Sequence, residues 1–143
     1  MKISTRGRYA LRVMVDLGDN FDNGYISLKS IAERQNISLK YIEAITSKLV
    51  KANLIEGKIG KSGGYRLTRE PKDYRVNEIL EITEGSLEPV SCLSCDNKCD
   101  RESYCKTLPL WEGLQKIIND YLASISLLDL MKNSERYSEG LGI

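Results

Sequence analysis

The 143-residue chain is 41% hydrophobic and 29% charged, as one ordinary globular domain is, and no apolar run reaches the ~20 residues of a membrane span. It contains no His, which excludes Ser-His-Asp, Cys-His and HExxH chemistry together and speaks against an enzyme. Charge is unevenly divided: residues 1–75 carry 15 Lys and Arg against 8 Asp and Glu, and residues 76–143 carry 6 against 12. The first half has the electrostatic footprint of a polyanion partner, unless the segregation is accidental.

Residues 1–6 lead into no signal-peptide stretch, so a cytoplasmic protein with no membrane partner is expected. Ser4 or Thr5 caps a first helix that carries Ala10, Val13, Met14 and Leu17 at helical spacing and breaks over residues 18–24. Two helices follow with matching start signals. Ser27 is flanked by Ile26 and Ile31, and Ser38 by Ile37 and Ile42, each a hydroxyl cap with a hydrophobic staple. Gln35-Asn36 supplies the turn between them, since Asn tolerates the left-handed conformation. Two capped helices joined this tightly form a helix-turn-helix candidate. The second should run over about 39–52, with Ile42, Ile45 and Leu49 inward and Lys40, Tyr41, Glu43, Ala44, Ser47, Lys48 and Lys51 outward.

Leu54-Ile55 begins a strand. Gly57, Gly60, Gly63 and Gly64 punctuate a hairpin that returns through Tyr65-Arg66-Leu67-Thr68. The whole reads as a winged helix. Gly60-Lys61-Ser62 is no phosphate loop, because position 55 is Ile where that motif needs Gly and the fragment turns a hairpin instead of opening a helix. Residues 76–83 predict a short helix ended by Gly85. Thr107 should cap a long helix whose Trp111, Leu114, Ile118, Tyr121 and Ile125 are spaced 3, 4, 3 and 4, a seam for homodimerisation. Ile117 and Leu122 widen its apolar face. Ser126 and Asp129 fit a capping box for a short closing helix through Met131.

Cys92, Cys95, Cys99 and Cys105, spaced C-x2-C-x3-C-x5-C, are all the cysteines of the chain. A disulfide pair is one reading, and a shared soft metal, zinc or an iron–sulfur cluster, explains the gathering better. Reversible thiol redox is the remaining alternative. The candidate DNA contacts are Arg6 and Arg8 on the first helix, Ser38, Lys40, Tyr41, Glu43 and Lys48 on the second helix of the helix-turn-helix pair, and Lys61, Gly63 and Arg66 in the wing. Glu43 is able to accept from cytosine. Ser38 doubles as a cap, Tyr41 has a packing alternative, and Arg8 an internal ion pair.

Gly7-Arg8-Tyr9-Ala10-Leu11, Ile37-Ser38-Leu39-Lys40-Tyr41-Ile42-Glu43 and Gly63-Gly64-Tyr65-Arg66-Leu67 together resemble the IscR/NsrR/CymR-type winged-helix regulators, and Cys105 followed by Leu110-Trp111 continues the likeness. The resemblance implies a homodimeric bacterial repressor that binds a palindromic operator. In its cluster-bearing branches three loop cysteines hold an iron–sulfur cluster, and Cys92, Cys99 and Cys105 fall on those positions. IscR-like proteins take a fourth ligand from a His where this chain has Leu108, and NsrR-like proteins from an acidic residue where it has Arg8. Cys95 is the expected replacement, with 2Fe–2S and 4Fe–4S both open. Ile59 stands where IscR-like proteins place Arg. The leading expectation is a repressor of cluster-assembly genes. The alternative is a cluster-free or zinc-containing regulator of cysteine metabolism acting through thiol redox or a partner enzyme.

The expected fold is mainly α, a winged helix-turn-helix with a small β-hairpin wing and a long C-terminal dimerisation helix. Within one structural domain, residues 1–75 form the winged helix-turn-helix and 76–106 the short helix and sensor loop. Residues 107–132 hold the dimerisation and closing helices, and 133–143 a tail.

Overall fold

The computed structural model describes residues 1–94, 96 and 99–140. Among the described residues six α-helices accompany one two-stranded antiparallel sheet: α1 (Thr5–Asp19), α2 (Leu28–Gln35), α3 (Leu39–Lys51), β1 (Ile55–Lys58), β2 (Gly64–Leu67), α4 (Val76–Glu84), α5 (Leu108–Ser124) and α6 (Leu127–Gly140). It is the expected mainly-α winged helix. No helix among the described residues is long and apolar enough to cross a membrane.

Local chemistry sets the helix ends. Ser4, Ser27 and Ser38 each accept a hydrogen bond from the backbone N–H three residues on, satisfying donors that the helix itself leaves unpaired. Asn36 ends α2 in the left-handed region at φ 52°, which an Asn side chain tolerates. The capping box of α6 is reciprocal: Ser126 N–H donates to Asp129 and Asp129 N–H to Ser126 Oγ. The Ser126 N–H, and after it the Ser126 hydroxyl, hold the Asp129 carboxyl below the usual carboxylate range. Thr107 departs from expectation. It occupies the cap position of α5 without a capping bond, and its hydroxyl lies 3.3 Å from Cys105 Sγ instead. The closing helix also runs on to Gly140, through residues read as tail from the sequence.

The main core draws Ala10, Val13, Met14 and Leu17 from α1, Ile31 from α2, Ile42, Ile45 and Leu49 from α3, and Ile79 and Leu127 from α4 and α6. A second cluster holds Val76, Leu80 and Leu87, with Leu122 and Ile125 packed against it. Burying each aliphatic side chain stabilises by about 1.5–3 kcal/mol. α1 and α4 approach so closely that a Cβ on Gly7 would lie 2.1 Å from Glu84 Oε1. That same oxygen accepts from Ser4 N–H and Oγ–H.

One buried charge orders the helix-turn-helix. Asp16 is 3% exposed at its side chain and accepts from Arg34 Nε at 3.0 Å, Arg34 Nη2 at 2.7 Å and Gln35 Nε2 at 3.0 Å. Arg12 adds bonds from α1 to the Gln35 side chain and carbonyl. Together they tie α1 to the last turn of α2, immediately before the Asn36 turn.

Asp16→Ala should destabilise the chain by about 2 kcal/mol, below the 3–5 of a fully buried pair because Arg34 is half exposed and can rehydrate; urea denaturation at neutral pH measures it. A second expectation concerns pH. Asp129 ionises more readily folded than unfolded, so its stabilisation is complete above ~3.9 and is lost as pH falls through the lower folded value. The stability difference between wild type and Asp129→Asn should stay flat near neutrality and shrink below pH ~4 across a denaturation series.

Candidate functional site

The outward face of α3 is open as expected. Lys40, Tyr41, Glu43, Ala44, Ser47, Lys48 and Lys51 are all exposed, while Ile42, Ile45 and Leu49 are fully buried behind them. Leu39 adds an apolar side chain 44% exposed at the first helical position, a surface suited to a thymine methyl that the sequence reading passed over. Tyr41 is half engaged, its ring edge-on to Tyr9 at 5.5 Å. Tyr9 in turn carries Arg12 over its face at 5.2 Å. The start of α3 is thereby steadied against α1. Ser38 spends its hydroxyl on capping Tyr41 N–H. Arg6, Lys40, Lys48 and Lys61 are exposed and have no ion-pair partner among the described residues. Arg8 bonds Thr5 Oγ1 within its own turn. Ser4, Thr5, Arg6, Tyr41, Thr83 and Glu84 line an open cleft of about 450 Å³ where α1, α3 and α4 meet.

The wing pairs Glu56 with Arg66 and Gly57 with Tyr65. Ile26 adds an isolated bridge to Tyr65, with both N–H···O bonds at 2.8 Å, so the segment before α2 is tied to the edge of β2. Gly63 and Gly64 have steric reasons of their own. A Cβ on Gly63 would meet the Lys58 carbonyl at 2.1 Å, and one on Gly64, at φ 148°, the Ile26 carbonyl at 2.3 Å. Gly63 therefore shapes the turn that presents Lys61, and Ile59 projects fully into solvent at the tip. Arg66 is exposed yet not free: it pairs with Glu56 and lies over Tyr25.

Sequence reasoning missed Tyr74. It is fully buried, its hydroxyl donates to the Leu54 carbonyl at 2.6 Å, and it accepts from Thr68 N–H at 2.9 Å and Arg69 N–H at 3.0 Å. Its signal is only a Tyr between polar neighbours. The bonds become visible once the wing is folded.

Of the four cysteines, Cys92 and Cys105 are half-buried, Cys99 is exposed, and all three are free thiols. Cys95 lies outside the described residues. The Cys105 thiol is held below its ordinary pKa, first by the Thr107 hydroxyl and then by the amides that open α5. Three thiols in one loop are a chemically fitting donor set for a soft metal or cluster. Among the described residues, however, no three ligand-type side chains converge closely enough to hold an ion. No described residue between Leu87 and Ser126 is buried.

That includes all of α5, about 25 Å long at 1.5 Å per residue. Its exposed apolar stripe is Leu110, Leu114, Ile117 and Tyr121, displaced from the expected seam. Leu114 and Tyr121 belong to both, whereas Trp111 and Ile118 are half-buried. Ile125, half-buried, packs on the chain's own Val76 cluster, and its carbonyl accepts from Val76 N–H.

The family model described as Rrf2, iron-dependent transcriptional regulator, matches residues 3–133. The regulator IscR of Aliivibrio salmonicida is 36% identical over 135 residues, covering 94% of this chain and 80% of that one. Among solved structures, T. potens IscR superimposes with a TM-score of 0.76 at 38% identity, covering 96% of this chain and 90% of the other. CymR, the global cysteine regulator of B. subtilis, does so with a TM-score of 0.76 at 35% identity, covering 93% and 98%.

Proposed function

The chain belongs to the Rrf2 family of transcriptional regulators, and from that premise we propose that it is a homodimeric repressor that senses iron–sulfur cluster status through its cysteine loop. That it is a DNA-binding regulator and not an enzyme follows from the family itself. The finer reading rests on one observation: the stretch between Leu87 and Ser126, which contains every cysteine, has no buried residue among those described. Beyond Leu122 and Ile125, which rest on the Val76 cluster, such a stretch leaves its apolar side chains open to a bound group or a second chain.

On this reading α3 enters the major groove with Leu39, Lys40, Tyr41 and Glu43 foremost, and Arg6, Lys48 and Lys61 take backbone phosphates. The stripe Leu110, Leu114, Ile117 and Tyr121 on α5 meets its copy about a two-fold axis, which makes the operator palindromic. Cys92, Cys99 and Cys105, with Cys95 as fourth thiolate, would hold the cluster; when bound it supplies a group labile to oxygen, nitric oxide and iron starvation. Gly85 links α4 to the loop, and Glu84 just before it bonds Ser4 at the start of α1. A change in the loop therefore has a short covalent and hydrogen-bonded route to the reading head. Regulation follows only if the two loop states bind DNA unequally. Cluster-assembly genes are the proposed targets, and the cytoplasm the proposed location. The equal structural likeness to CymR favours a second reading, a cluster-free or zinc-bearing regulator of cysteine metabolism.

Anaerobic purification with iron, sulfide and zinc counted per chain separates the two. Brown protein with matched iron and sulfide, lost in Cys92→Ala, is the expected result, and cluster retained in Cys95→Ala would remove only the fourth-ligand assignment. Colourless protein with zinc or no metal would support the second reading. For the dimer, Ile117→Glu should convert the protein to monomer in sedimentation and weaken operator binding at least tenfold, the ~1.4 kcal/mol equivalent, by splitting one two-headed contact into two.

A further inference from the structure

Arg66 occupies the middle of a row that crosses the wing sheet. Glu56 is its registered partner on β1, and Tyr25 lies beside it through the Ile26–Tyr65 bridge. The guanidinium is engaged on both flanks: Nε donates to Glu56 Oε1 at 2.5 Å, and Cζ lies 4.5 Å from the Tyr25 ring centre. Lys58, on the same face of β1, has Nζ 5.6 Å from that ring. A carboxylate on an arginine takes the place and geometry a backbone phosphate would take. Lys61, at the tip, has no such partner among the described residues.

We propose that Glu56 is an intramolecular stand-in for phosphate, which holds Arg66 off DNA and sets the wing's affinity below what its cations would otherwise give. The proposal rests on the DNA-binding reading above and names a residue that tunes it. With Glu56 in place the wing offers phosphates Lys58 and Lys61. Without it, Arg66 joins them, still supported from beneath by Tyr25. The side chains of the pair are 48% and 45% exposed, so its loss leaves no buried charge and the fold is expected to stand.

The test uses the full chain, a fluorescein-labelled mixed-sequence duplex and a salt series read by anisotropy. Glu56→Gln should bind about 3–10-fold tighter at low salt, and its plot of log affinity against log salt should steepen by ~0.9, one added phosphate contact. Adding Arg66→Ala should abolish both gains, while Arg66→Ala alone should leave the wild-type slope in place. Glu70→Gln removes a comparably exposed carboxylate, paired with Lys72 outside the wing, and should not reproduce the steeper slope. A wild-type slope in Glu56→Gln would overturn the proposal. So would a gain that survives without Arg66, or a slope flattened by Arg66→Ala alone, and in each case the DNA reading stands. Wild-type protein that binds no duplex at any salt overturns both.

Discussion

The Tyr74 phenol, fully buried, gathers three backbone groups that have no other common partner, the Leu54 carbonyl and the Thr68 and Arg69 amides. Leu54 follows α3, and Thr68 follows β2, so this hydroxyl, together with the direct bonds of Thr68 to the Asn53 and Leu54 carbonyls, closes the base of the wing against the end of α3. The Tyr74 carbonyl meanwhile accepts from Leu127 N–H, and Val76 N–H donates to the Ile125 carbonyl. Residues 74–76 are therefore the seam at which the wing, α4 and α6 are joined. Buried backbone polar groups left unpaired each cost about 1–3 kcal/mol, so wing and C-terminal helices cannot separate here without exposing or orphaning several at once. The division at residue 75 that composition suggests is a change of charge, not of packing.

What the sequence made legible was local. The Ser27 and Ser38 caps, the left-handed Asn36 and the Ser126–Asp129 box all depend on residues within four positions of one another, and each forms as expected. What it hid was pairing across distance. Arg66 reads as a free cation until strand register sets Glu56 opposite it. Along α5 a heptad pattern identifies two apolar sides without saying which one the chain keeps for itself. Leu122 and Ile125 turn to the Val76 cluster, which rotates the open stripe onto Leu110, Leu114, Ile117 and Tyr121. Asp16 belongs to the same class, since nothing in its neighbourhood announces that Arg34 will come to lie against it.

Electrostatics divides accordingly. The +7 of the first half is not all available to a polyanion, because Arg34, Arg66, Arg69 and Lys72 are each matched by a carboxylate. Among the described residues, the cations without an ion pair include Arg6, Arg8 and Arg12 on α1, Lys40, Lys48 and Lys51 on the outer face of α3 and Lys61 at the wing tip, with Lys2, Lys29, Lys58 and Arg75 elsewhere. Charge used for folding and charge left for recognition are thus carried by different residues of one basic segment.

The absence of any buried residue among those described between Leu87 and Ser126 also bears on how such a chain changes over generations. Apart from Leu122 and Ile125, which pack on the Val76 cluster, substitutions at the described positions there remove no side chain from the core, and lost core volume is a main route by which single changes unfold proteins. A lineage can exchange exposed side chains of the cysteine-bearing loop one at a time while the winged helix stays folded at every step. Chemistry in that loop is free to diversify on this scaffold because the core draws no buried side chain from its described residues.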